Sequence, residues 1–275
     1  MIQDILVNLS VGKPRDIAGE FAVSVATLFE SHLAAVACAY EPAIDGTPFD
    51  SFSPGIIESF RASQKAEADK AREAFDRNAR LAGLSFESRI VTAGTADAAN
   101  TFGALARTYD LAVIAQARPG DDLPEQLTVE ATLFGSGRPV LIVPYIQNTG
   151  IKLDRVMVCW DGSKTAARAV GDAMPLLKRA GRIDVVTVEQ TERRNELRGG
   201  EIAEHLARHK LKVELKPIVA PDSDAADVIL SQAADSATNL IVMGAYGHSR
   251  LREFVLGGAT KNILGTMTVP VLMSH

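Results

Sequence analysis

The strongest chemical signal in the chain is a set of spaced glycines near its C-terminus. The apolar run Asn239-Leu-Ile-Val-Met243 leads directly into Gly244-Ala-Tyr-Gly247, and nine residues later the chain reads Gly257-Gly258-Ala259-Thr260. Backbone without a Cβ lets N–H groups come close to an anion. A helix that opens at Gly-Gly-Ala-Thr adds unpaired N–H groups and a positive dipole end. These residue types at this spacing describe a phosphate cradle. Thr260 can donate its hydroxyl to a phosphate oxygen, or it can cap the helix. Asp161, in Cys-Trp-Asp-Gly-Ser (159–163), can accept from a ribose hydroxyl or an adenine amino group. Its plainer role is to cap the helix that begins near Ser163. Two glycines after a strand can also serve only to turn the chain.

Residues for rapid chemistry are missing around this cradle. No Gly-x4-Gly-Lys-[Ser/Thr] phosphate loop occurs, because Gly162-Ser-Lys-Thr165 lacks the preceding glycine. No Gly-x-Ser-x-Gly elbow is present. His205 and His209 share a helical face without the glutamate of a zinc-protease helix, and His248 lies inside the glycine segment. With no base, nucleophile or carboxylate cluster near Thr260, we assign no catalytic residue and no protein metal site. Slow hydrolysis of a bound phosphate ester would need little more from the protein, since Mg²⁺ takes few protein ligands.

The elements that must position these residues follow from periodicity. Apolar strands are predicted at Val156–Trp160, Ile183–Val188, Lys212–Val219, Leu240–Gly244 and Val269–Met273. Helix-length segments separate them. The first has Ala167, Val170, Ala173, Met174 and Leu177 at helical spacing, with Gly181 as its stop. Near-continuous Val/Ile/Leu strands alternating with helices predict a parallel sheet covered on both faces. In such a fold ligands bind beyond the carboxyl ends of the strands, where the strand order reverses. Asp161, Val188 and Gly244 all close predicted strands.

The chain also repeats itself. Asp4–Ser10 (DILVNLS) resembles Arg155–Asp161 (RVMVCWD), Phe86–Asn100 resembles Val213–Asp227, Asp110–Ala117 (DLAVIAQA) resembles Asn239–Tyr246 (NLIVMGAY), and Pro139 aligns with Pro270. The order is kept and the offsets drift as loop insertions would make them. The largest slip coincides with the Pro-, Gly- and Asp-rich stretch 40–55. We read two copies of one domain, 1–147 and 148–275, joined near Tyr145–Asp154. The segment 63–83 is a charged amphipathic helix with a solvated face.

Composition sets the outer limits. Of 275 residues, 47% are hydrophobic and 23% charged, a globular balance. No apolar stretch approaches the roughly 18 residues that suggest a membrane span. The N-terminus reads as a first strand, which predicts a cytoplasmic protein. Cys38 and Cys159 sit in apolar runs as thiols. A net charge of −5 argues against a broad nucleic-acid-binding face. Residues 1–147 carry 12 Lys+Arg against 19 Asp+Glu, and residues 148–275 carry 17 against 15, so the second copy is the better host for an anion.

Gly244-x2-Gly247-x9-Gly257, following Leu-Ile-Val-Met and preceding Ala259-Thr260 and a last Pro-Val-Leu strand, resembles the nucleotide motif of the universal stress protein family. The whole chain resembles a tandem member. The resemblance implies two α/β domains, each Rossmann-like with a five-stranded parallel sheet in the order 3-2-1-4-5, paired through their last strands. It also implies ATP, with or without Mg²⁺, in the second domain. There Asp161, Val188, Met243, Gly244, Gly247, Gly257, Gly258, Ala259 and Thr260 would hold the nucleotide, with Val188 and Met243 flanking the adenine. Occupancy would order the segment from Tyr246 to Leu256 and change how the protein meets a protein partner. Gly258 departs from the family pattern, which has Ser or Thr there, so one hydroxyl contact is absent while the N–H remains. The first copy departs further: Ser10 replaces the aspartate and Ala131-Thr-Leu-Phe-Gly-Ser-Gly137 lacks the spaced glycines. It reads as a structural partner. The alternative for the whole is an interaction or assembly module that kept the fold without the ligand. No nucleic acid or membrane is implied, and a homodimer stays open.

Overall fold

The computed structural model describes residues 1–42, 54–118, 120, 123–189, 199–221, 223–246 and 258–275. Gly247, His248 and Gly257, and most of the segment from Tyr246 to Leu256, therefore lie outside the described residues. The chain packs as two compact units, Met1–Ser136 and Gly137–His275. The first holds β1 (Asp4–Asn8), α1 (Ile17–Phe29), β2 (His32–Tyr40), α2 (Pro54–Leu81), β3 (Phe86–Ala93), α3 (Thr95–Leu105), β4 (Leu111–Ala115) and α4 (Leu123–Gly135). The second holds β5 (Val140–Val143), β6 (Arg155–Cys159), α5 (Lys164–Leu177), β7 (Arg182–Glu189), α6 (Gly200–Arg208), β8 (Val213–Val219), α7 (Ala225–Asp235), β9 (Leu240–Gly244), α8 (Gly258–Thr266) and β10 (Val271–Ser274).

Each repeat lays its strands in the order 3-2-1-4-5, as β3-β2-β1-β4-β5 and β8-β7-β6-β9-β10. Within the first unit β1 runs parallel to β2 and β4, with Ile5 opposite Leu33 and Leu111. Within the second, Val156 of β6 stands opposite Ile183 of β7 and Leu240 of β9 in the same way. The last strands of the two repeats pair antiparallel, Leu272 of β10 opposite Leu141 of β5.

Burial follows the apolar runs. Val156, Met157 and Val158 of β6 and Ile241 and Val242 of β9 are fully buried, as a sheet covered on both faces requires. On α5 the buried set is Ala166, Ala169, Val170, Ala173, Leu176 and Leu177, one stripe at helical spacing. The predicted helix at 63–83 extends further toward the N-terminus, to Pro54, a residue type whose fixed φ suits a first helical turn.

Among the described residues of the second unit, one charged group is buried. Asp184 of β7 is fully enclosed, with Arg155 Nε at 2.7 Å and Lys216 Nζ at 3.2 Å from Oδ2, and Arg182 Nε at 3.3 Å from Oδ1. It lies toward the amino ends of β6, β7 and β8, so it organises the end of the sheet opposite Asp161 and Gly244.

Candidate functional site

At the carboxyl ends of β6, β7 and β9 the second unit encloses a cavity of about 390 Å³. Cys159, Trp160 and Asp161 reach it from β6, and Val186 and Val188 from β7. Ala225 and Ile229 come from α7, Met243 and Gly244 from β9, and Ala259 and Thr260 from α8. The structure thus brings Asp161, Val188, Met243, Gly244, Ala259 and Thr260 to one cavity. Gly258 stands exposed at the first residue of α8, with open space where a Cβ would be.

Three helices begin around this cavity. Ser163 caps α5, its Oγ accepting from Ala166 N at 3.1 Å. Asp161 is one step further out: its Oδ1 accepts from Ser163 N at 2.8 Å, so it shapes the turn before the cap and is not itself the cap. Asp224 caps α7 through Oδ1 with Ala226 N at 2.8 Å, and its Oδ2 accepts from Asn262 Nδ2 of α8 at 2.7 Å. That side chain therefore ties two helix starts together. Their dipoles sum to a positive field at the carboxyl edge of the sheet.

Two of the motif residues have structural duties as well. A Cβ on Gly244 would lie 2.5 Å from Ala166 N and 2.6 Å from Thr165 C, so the first turn of α5 needs a glycine there. Thr260 is buried, and its Oγ1 accepts from Tyr246 N at 3.3 Å, pinning the chain as it leaves β9. Tyr246 sits at φ +53°, a left-handed conformation unusual for a tyrosine.

The walls are mostly apolar. Val186, Val188, Ile229 and Met243 form a slot between β7, α7 and β9, and the polar groups gather at Asp161 and the start of α8. Cys159 is partly open to the cavity, yet burial pushes its thiol up to about 12, with the charge of Asp161 adding to the shift. A thiol raised in this way holds its proton at neutral pH, which weakens it as a nucleophile. Among the described residues no group of three or more His, Cys, Asp or Glu is arranged to hold a metal ion.

Sequence reasoning did not single out Trp160, Val186, Ala225 or Ile229 for this cavity. Trp160 adjoins Asp161 and Val186 lies two residues from Val188, one strand period away, so both had a local signal. Ala225 and Ile229 arrive only through the packing of α7.

The equivalent place in the first unit is differently built. Register sets Cys38 where the second unit has Val188, and Ala115 where it has Gly244. The Asp16 carboxylate occupies the start of α1, its Oδ1 accepting from Ser10 N and Gly19 N, both at 3.0 Å. Burial raises the pKa of Asp16 despite those bonds. This helix start is already capped by its own side chain.

Residues 152–275 match the model of the universal stress protein family. A universal stress protein of Synechocystis sp. (strain ATCC 27184 / PCC 6803 / Kazusa) is 28% identical over 138 residues, 49% of this chain and 46% of that one. The match thus spans about half the length of that relative. Among solved structures, a universal stress protein from Archaeoglobus fulgidus DSM 4304 superposes over 98% of this chain and 95% of its own, with a TM-score of 0.73 at 17% identity. A functionally unknown protein from Pseudomonas aeruginosa PAO1 covers 99% of this chain and 92% of its own, with a TM-score of 0.62 at 17% identity. These two likenesses establish the tandem fold over the whole chain.

Proposed function

From the premise that this chain belongs to the universal stress protein family through residues 152–275, we propose that its second unit binds ATP or a related adenine nucleotide. The observation that carries this reading is the cavity itself, which joins an apolar slot to the open start of α8. A cavity of about 390 Å³ lies within the range of small-molecule sites, roughly 300–1,000 Å³. Val188 and Met243 would flank the adenine. Asp161 would accept from the ribose or the adenine amino group. The N–H groups of Gly258, Ala259 and Thr260 would meet the phosphates, with Gly247 and Gly257 completing the cradle. Mg²⁺ would be held mainly by phosphate and water oxygens. The role is a nucleotide-dependent regulator or interaction protein, and the setting a cytoplasmic one, in keeping with the free thiols Cys38 and Cys159.

A second reading, an interaction module without a nucleotide, draws support from specific residues. The caps of α5 and α7 are filled by their own side chains, Gly244 is required by packing, and Gly258 offers no hydroxyl. Calorimetric titration of Mg²⁺-ATP into refolded protein separates the two. We expect one site per chain, weakened at least tenfold by Gly258→Val, whose side chain fits the open space but obstructs the start of α8. No heat at several temperatures and no thermal shift at millimolar ATP would favour the interaction module. Phosphate release from ATP that Gly258→Val abolishes would add slow hydrolysis.

A further inference from the structure

Trp160 is the chain's single tryptophan and, among the described residues, the one aromatic side chain lining the cavity. Its backbone is fixed, with N donating to Val186 O at 2.9 Å as a continuation of the β6–β7 ladder. The first repeat makes the same bond, Leu9 N to Val36 O at 2.9 Å. There the side chain is a leucine, 3% exposed and packed away. In the second repeat the larger indole takes the equivalent position and stays half-buried, on a cavity. Among the described residues it stacks on no other ring. Tryptophan is large and seldom fully buried, and it pairs a broad apolar face with one polar N–H. An indole open to a cavity, beside a carboxylate and among the aliphatic side chains of Val186, Val188, Ile229 and Met243, suits a flat ligand that lies against the ring while its polar edge reaches Asp161.

We infer that Trp160 is the stacking platform that selects a purine base at this site. The inference rests on the nucleotide reading above and adds a residue and a preference to it. Every base has a π-face, and the larger purine overlaps the indole more, so the platform favours ATP over CTP. Stacking of a base on an aromatic side chain is worth about 1–3 kcal/mol, corresponding to between about fivefold and 150-fold in affinity.

The test uses the full chain and the variants Trp160→Leu and Trp160→Phe, each first checked for an unchanged urea midpoint. Trp160→Leu installs the residue that the first repeat carries at this point, so the fold should accept it. Calorimetry with ATP, CTP and adenosine gives affinities independently of fluorescence, and emission of the lone tryptophan gives proximity. Expected are saturable quenching by ATP and by adenosine at the calorimetric midpoints and at least fivefold weaker ATP and adenosine binding in Trp160→Leu. The ATP-to-CTP preference should narrow in Trp160→Leu, and Trp160→Phe should stay within about threefold of the parent. If the parent binds ATP and Trp160→Leu binds it within threefold, or if both variants weaken alike with the preference unchanged, the platform is wrong and the nucleotide reading stands. If the parent binds neither ATP nor adenosine, the nucleotide reading fails and this inference goes with it.

Discussion

At the scale of single residues, the glycine motif divides into positions fixed by packing and positions left open. Gly244 belongs to the first kind, since any Cβ would press on the backbone of Thr165 and Ala166. Gly244→Ala is expected to destabilise the protein by about 1–3 kcal/mol, read as a lower urea midpoint, because overpacking forces backbone to shift. Gly258→Ala meets open space and is expected to stay within about 0.5 kcal/mol of the parent. Loss of nucleotide affinity in a Gly244 variant would therefore say little about phosphate, whereas loss in a Gly258 variant would say much. The two thiols make a separate prediction about pH. Burial raises Cys38 to about 11 and Cys159 to about 12, against an ordinary 9.0. The folded state thus holds these protons more tightly than the unfolded chain. Their contribution is complete below about pH 9 and is lost as pH climbs toward 11 and 12. Urea midpoints should fall between pH 8.5 and 10.5, and a Cys38→Ala, Cys159→Ala variant should show a shallower fall over those roughly two units.

At the scale of elements, the site depends on how helix starts are held together. Asp224 caps α7 and grips Asn262 of α8 with its other oxygen, so one carboxylate sets the spacing between Ala225 and Ala259 across the cavity. Asp224→Ala should cost about 1–2 kcal/mol through the lost cap. Asn262→Ala should cost less, and a double-mutant cycle should show coupling of about 0.5 kcal/mol or more, as for contacting residues. Additive losses would mean that the clip does not position α8. This arrangement also explains what could be read from sequence. Strand ends were legible because Val/Ile/Leu runs stop at Asp161, Val188 and Gly244, and these ends face one edge whenever parallel strands alternate with helices. The side chains from α7 were not legible. Its sequence fixes a buried stripe, but which residues of that stripe border a cavity depends on the angle at which the helix docks. The turn at Asp161 was only half legible: Asp and Ser both favour caps, and only the observed hydrogen bonds give the cap to Ser163.

At the scale of the whole molecule, the repeat made the architecture readable, because two copies of one strand-helix alternation imply two α/β halves, each with the strand order 3-2-1-4-5. The repeat puts the covalent join near Tyr145–Asp154, yet β5 packs with the residues that follow it, in the unit Gly137–His275. A strand's partner is chosen by edges distant in sequence, so aligning the two repeats cannot find this grouping. Its consequence can be tested. Leu141, Leu272 and Met273 are fully buried along the β5–β10 pair. A fragment of residues 148–275 keeps β10 but removes β5, leaving an apolar edge with unpaired backbone groups, which is a template for association. Such a fragment is expected to self-associate, with a mass that rises with concentration in light scattering. A peptide spanning residues 137–147 should convert it to a one-to-one complex by restoring the antiparallel partner. A fragment that stays monomeric at all concentrations, indifferent to the peptide, would show that the β10 edge does not need β5. The grouping of β5 with the second repeat would then be a matter of proximity and not of stability.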